Sequence, residues 1–107
     1  MKFDASKLSQ ELTRIQKEFA QSLEKIRVEA SAGGGMIKVT ADGQGHIISI
    51  RIEPELLNEK EIDIEMLQDL IVAAVNEAKN LAKAEAQKEM QKIVGSPIPG
   101  MFPDNLF

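Results

Sequence analysis

The apolar period of this chain changes twice along its length, and that change constrains its fold more than any other feature. Between Met36 and Ile52 the period is two: Ile37, Val39 and Ala41 alternate with Lys38 and Thr40, then Ile48, Ile50 and Ile52 alternate with Ser49 and Arg51. On both sides the period lies between three and four. A period of two marks strands with one buried face, and a period near 3.6 marks helices that bury a stripe. The order is therefore helix, hairpin, helix. Asp42-Gly43 between the two strands is a hairpin-turn dipeptide. Gly43 and Gly45 thus sit in a strand-to-strand turn, whereas a phosphate-binding loop needs a strand-to-helix turn; neither GxGxxG nor GxxxxGK[ST] occurs.

The leading helix is expected from Asp4 to about Ala30, because Leu8, Leu12, Ile15, Phe19, Leu23 and Ile26 recur at helical spacing without glycine or proline. Asp4 or Ser6 can cap it. Gly33-Gly34-Gly35 should end it, since glycine favours left-handed backbone and weakens helix. After Glu53-Pro54-Glu55 an acidic connection leads to a second helix, Ile64 to Val94. There Leu67, Leu70, Ile71, Ala74, Val75, Ala78, Leu81 and Ala82 share one face. Beyond Ala82 the stripe breaks up, so that end should project past the core. Residues 1–94 then form one domain, and 95–107, which open on Gly95-Ser96-Pro97, form a tail.

Composition removes several functions. With no cysteine there is no thiolate zinc site and no cysteine nucleophile. His46, the single histidine, has no evident base or nucleophile partner and reads as a solvated turn residue. No catalytic residue, metal site, cofactor or small-molecule substrate is expected, and the protein is not read as an enzyme. No apolar run approaches the roughly 20 residues of a membrane helix, and no leader precedes the first helix, so a cytoplasmic protein without membrane contact is expected.

The net charge of −4 is unevenly spread. Residues 53–69 carry seven acids against Lys60, a net −6, which leaves +2 for the remainder. Lys7, Arg14 and Lys25 fall within about 20° of one another on the first helix, away from its stripe, with Lys17 farther round. On the second helix Lys79 and Lys83 share one face, and Lys88 and Lys92 another. These bases either solubilise the helices in pairs such as Arg14 with Glu18 or contact phosphates. No Trp or Tyr is present to stack unpaired bases, so a nucleic-acid partner would be a duplex.

The combination of a leading amphipathic helix, "GGGMIKVTADGQGHIISIRIEPELL", "MLQDLIVAAVNEAKNLAKAEAQKEMQKIVG" and a terminal "PG" resembles the YbaB/EbfC family of bacterial nucleoid-associated proteins over essentially the whole chain. The resemblance implies an α+β fold with a long N-terminal helix, an antiparallel β-hairpin or sheet and a long C-terminal helix. It further implies a tweezer-like homodimer that shares its sheet between subunits and binds duplex DNA with little sequence preference, influencing nucleoid organisation and gene expression. Lys7, Arg14, Lys17, Lys25, Lys79, Lys83, Lys88 and Lys92 are the expected phosphate contacts. The alternative is a dimeric adaptor that engages a protein partner and has negligible DNA affinity.

Overall fold

The first helix stops five residues short of the expected Ala30. The computed structural model describes residues 4–57 and 63–94, and in it α1 spans Ala5–Lys25. The Asp4 carboxylate accepts from the backbone N–H groups of Ser6 and Lys7 at 3.0 and 3.2 Å, which makes it the N-cap. At the other end the Arg27 guanidinium donates to the Glu24 and Ile26 carbonyls and satisfies the frayed last turn.

Val28–Ala32 is a strand, β1, and not the end of a helix. Val28, Ala30 and Ala32 already have a period of two, but Ala30 and Ala32 are too small to announce it. Pairing decides the matter: β1 runs antiparallel to β2 (Ile37–Ala41), from Val28 opposite Ala41 to Ala32 opposite Ile37. The glycine run is the turn of that hairpin. Gly33, Gly34 and Gly35 take φ of 64°, 67° and 93°, the left-handed region that side chains disfavour. β2 pairs in turn with β3 (Ile47–Ile52), giving a three-stranded antiparallel sheet of order β1-β2-β3 in place of a two-stranded hairpin. A register shift at Thr40/Ala41 leaves Ile48 without a partner, as a β-bulge does.

Ile37, Val39 and Ala41 on β2 are fully buried, and they form the core with Ala30, Leu56, Ala74 and Ala78. Burying side chains such as Ile37 and Val39 contributes roughly 1.5 to 3 kcal/mol each. Leu56 arrives on α2 (Pro54–Leu57), a single turn that begins with proline, whose fixed φ suits a first helical position. Residues 58–62, in the acidic connection, and the tail at 95–107 lie outside the described residues.

α3 spans Ile64–Val94, about 46 Å at 1.5 Å per residue. Asp63 caps it by accepting from the Met66 N–H at 3.0 Å. Its first half crosses β1 and β2, and Ala74 and Ala78 let the helix approach the sheet closely. The second half leaves the sheet, but not bare. Ala82 and Ala86 are buried, and with Leu23 they line the junction between α3 and the C-terminal end of α1. α1 and α3 are in contact there. Ile15 and Phe19 are half-buried along this seam, whereas Leu8 and Leu12 farther out are 48% and 53% exposed.

Candidate nucleic-acid interface

The eight expected contact residues fall into two groups by what already holds them. Arg14 is the most constrained: its guanidinium spans Glu11 and Glu18, one turn either side. Hydrogen bonding to Arg14 lowers the Glu11 carboxyl and raises the guanidinium still further. A phosphate would have to displace one of these carboxylates. Lys88 and Lys92 likewise face Glu85 at 3.2 Å and Glu89 at 3.8 Å. Such exposed helix pairs are screened by solvent, contribute little and exchange readily.

Lys7, Lys17 and Lys25 are exposed on α1, and none reaches a carboxylate among the described residues. Lys79 and Lys83, one turn apart on α3, gather at a notch of about 540 Å³ between α3, the end of α1 and the β2–β3 turn. Lys79 Nζ donates to the Gly45 carbonyl at 2.9 Å, and Gln44 reaches across to the Ala20 carbonyl at 3.3 Å. The floor is Leu23, Ala82 and Ala86; the rim holds Lys83, Asn80 and Gln44. The notch therefore presents cations and amide donors over an apolar base.

Two further bases lie on strands, outside the helix-centred expectation. Lys38 on β2 and Arg51 on β3 stand directly opposite each other. Both occupy polar positions of the alternation, but only the register shift at Thr40/Ala41 brings them level, since counting back from the Ala41–Ile47 pair would set Lys38 opposite Ile50.

His46 has a partner that spacing alone did not reveal. Its Nδ1 lies 3.2 Å from Asp42 Oδ2, while Asp42 Oδ1 accepts from the Gln44 and His46 backbone N–H groups at 2.9 and 3.0 Å. Burial pushes the Asp42 carboxyl up, but the backbone donors and His46 outweigh it and hold the group below its ordinary value. The imidazole itself is 70% exposed. Among the described residues no group of three or more His, Asp or Glu could hold a metal ion, and no helix is long and apolar enough to cross a membrane.

His46→Ala should accordingly leave duplex affinity within about threefold of the parent and the melting temperature within a few degrees. The Asp42 contribution is present above the ordinary carboxyl value near 3.9 and lost as pH falls through the lowered folded value. Parent and variant should therefore lose stability together below about pH 4. Melting curves from pH 3 to 7 check this, and a large loss at pH 7 in the variant would give the imidazole a structural role that its exposure denies.

A long helix beside a three-stranded antiparallel sheet, a second helix in contact with the first, and bases distributed along both define an α+β protein suited to a polyanion. Residues 1–97 match the YbaB/EbfC DNA-binding family. The chain belongs to that family. It is 44% identical over 97 residues to a nucleoid-associated protein of Pelotomaculum thermopropionicum, covering 90% of this chain and 87% of that protein. It is 46% identical over 99 residues to a nucleoid-associated protein of Alkaliphilus metalliredigens, covering 89% and 85%. Among solved structures, an uncharacterized protein from Helicobacter pylori superposes with a TM-score of 0.67 at 25% identity, over 88% of this chain and all of that one.

Proposed function

We propose that the protein is a nucleoid-associated, non-enzymatic DNA-binding protein, and that it acts as a homodimer whose helix-borne Lys and Arg contact duplex phosphates with little sequence preference. Membership of the YbaB/EbfC DNA-binding family carries this reading, and the nucleoid-associated relatives support its setting. No carboxylate among the described residues competes for Lys7, Lys17, Lys25 or Lys83, and Lys7, Lys25 and Lys83 are the readiest contacts because Lys17 lies farther round α1. Arg14, Lys17, Lys79, Lys88 and Lys92 complete the set. The sheet favours a dimer: Ile48 and Ile50 on its free edge strand are 49% and 46% exposed, where a chain acting alone would be expected to bury or blunt them.

A gel shift with unrelated duplexes across a salt series tests the reading. Each neutralised phosphate releases counterions, so log affinity should fall against log salt by about 0.9 per contact, and three bases per subunit of a dimer give a slope on the order of −5. Similar affinity for different sequences is expected. No shift at any salt concentration would favour the adaptor reading, in which the acidic 53–69 segment meets a protein partner.

A further inference from the structure

We infer that duplex phosphates also seat on the open face of the sheet, between Lys38 and Arg51. The inference rests on the DNA-binding reading and adds a surface to it.

β2 divides the sheet into two chemically distinct faces. Ile37, Val39 and Ala41 point into the core beneath α3, so Lys38 and Thr40 point the other way. The register carries that second face across all three strands: Ser31, Lys38 and Arg51 form one row, and Glu29, Thr40 and Ser49 the next. Five of these residues line a shallow depression of about 160 Å³. No helix among the described residues covers it, since α3 crosses the opposite face.

Lys38 directly opposite Arg51 is an unfavourable cross-strand pair, because like charges at register positions repel. Three of the helix-borne bases are offset locally, Arg14 by two glutamates and Lys88 and Lys92 by one each. Here neither base has a carboxylate within ion-pair distance among the described residues. Glu29 is on the same face, but it stands in the neighbouring row, opposite Thr40. These two rows carry two bases against one carboxylate, in a chain that is negative overall.

A phosphodiester resolves the repulsion. Its two unbridged oxygens can accept from an ammonium and a guanidinium together, and Arg in particular presents paired donors to such an anion. Thr40 and Ser49, one row away, offer hydroxyl donors to an oxygen of the same or the next phosphate. Strands hold these donors in fixed register, so the site is positioned before DNA arrives. It carries no base-reading group, in keeping with low sequence preference.

The full chain with Lys38→Gln and Arg51→Gln, compared with the parent in gel shifts across a salt series, tests the site. The double variant should bind unrelated duplexes at least tenfold more weakly at 0.1 M salt. With these four contacts added to the six helix-borne ones the parent slope steepens to on the order of −9, and the double variant should return it to about −5, at 0.9 for each lost contact. The charge-keeping variant, Lys38→Arg with Arg51→Lys, should stay within a few-fold of the parent. Parent-like affinity and slope in the double glutamine variant would overturn the site while leaving the DNA reading intact; failure of the parent to bind would overturn both. As a measurement that needs no variant, the backbone amide resonances of Lys38, Thr40, Ser49 and Arg51 in the parent should move on adding a short duplex. They should move far less with inorganic phosphate at the same phosphoryl concentration. Still resonances with duplex, or an equal response to phosphate alone, would reject the assignment to DNA.

Discussion

Ile50→Glu should turn the protein into a folded monomer and lower its apparent duplex affinity by a hundredfold or more. Ile50 pairs with Val39 and shares the face of the sheet that α3 covers, yet it is 46% exposed because α3 crosses β1 and β2 and leaves β3 at its flank. Among the described residues the outer edge of β3 has no partner strand. An edge strand written Ile-Ile-Ser-Ile-Arg-Ile invites another strand, and apart from the bulge near Ile48 it carries little to discourage one. Exposed Leu57, Ile64 and Val72 add to the apolar surface that a second copy could cover. A carboxylate brought into such a contact costs several kcal/mol unless it is paired. In the single chain the same carboxylate stays half in water, so the subunit should fold. Two linked sets of bases bind a duplex more tightly than one by roughly 10² to 10⁴, and separation removes that gain. Light scattering at micromolar concentration should give about twice the 11.8 kDa chain mass for the parent and a single chain mass for the variant. A dimeric variant with parental DNA affinity would remove β3 from the interface.

Long periodic segments were legible in the sequence, and short ones made of small residues were not. α3 begins and ends at Ile64 and Val94 as its stripe and the following glycine suggest. β2 and β3 follow from strict alternation around Asp42-Gly43. β1 was hidden because Val-Glu-Ala-Ser-Ala has only one β-branched residue, and because Ile26 continues the helical stripe without interruption. Tertiary pairing overrode local preference there. At the site, helical angles group Lys7, Arg14 and Lys25, and the i, i+4 spacing that pairs Arg14 with Glu18 is realised, with Glu11 closing on the same guanidinium. The notch at Lys79 and Lys83 depends on α1 meeting α3, a long-range contact that periodicity does not encode.

Gly43→Ala should cost about 2 to 4 kcal/mol, although the residue has an ordinary φ and looks like a routine turn glycine. The constraint comes from the end of α1. A Cβ built on Gly43 would lie 2.9 Å from the Leu23 carbonyl oxygen, 3.0 Å from the Leu23 side chain and 3.1 Å from that of Ile26. The carbonyl cannot yield, because it accepts from both the Gly43 N–H at 2.9 Å and the Ile26 N–H at 3.2 Å, which ties the β2–β3 turn to the helix end. Nor can the turn easily retreat. Asp42 fixes it through its own N–H to the His46 carbonyl, its carbonyl to the Gly45 N–H, and a buried carboxylate to Gln44 and His46. Overpacking of this kind typically costs 1 to 3 kcal/mol, and a lost backbone hydrogen bond adds roughly another 1. At about 4 to 8 °C per kcal/mol for a domain near this size, the melting temperature should drop by on the order of 10 to 25 °C at fixed protein concentration. Gly34→Ala provides the contrast. No described residue lies within 4 Å of its added Cβ, so the penalty is that of the left-handed backbone, roughly 1 kcal/mol. Equal melting temperatures for the two variants would show that α1 and the turn can separate without loss. The tie between them would then be a contact and not a joint.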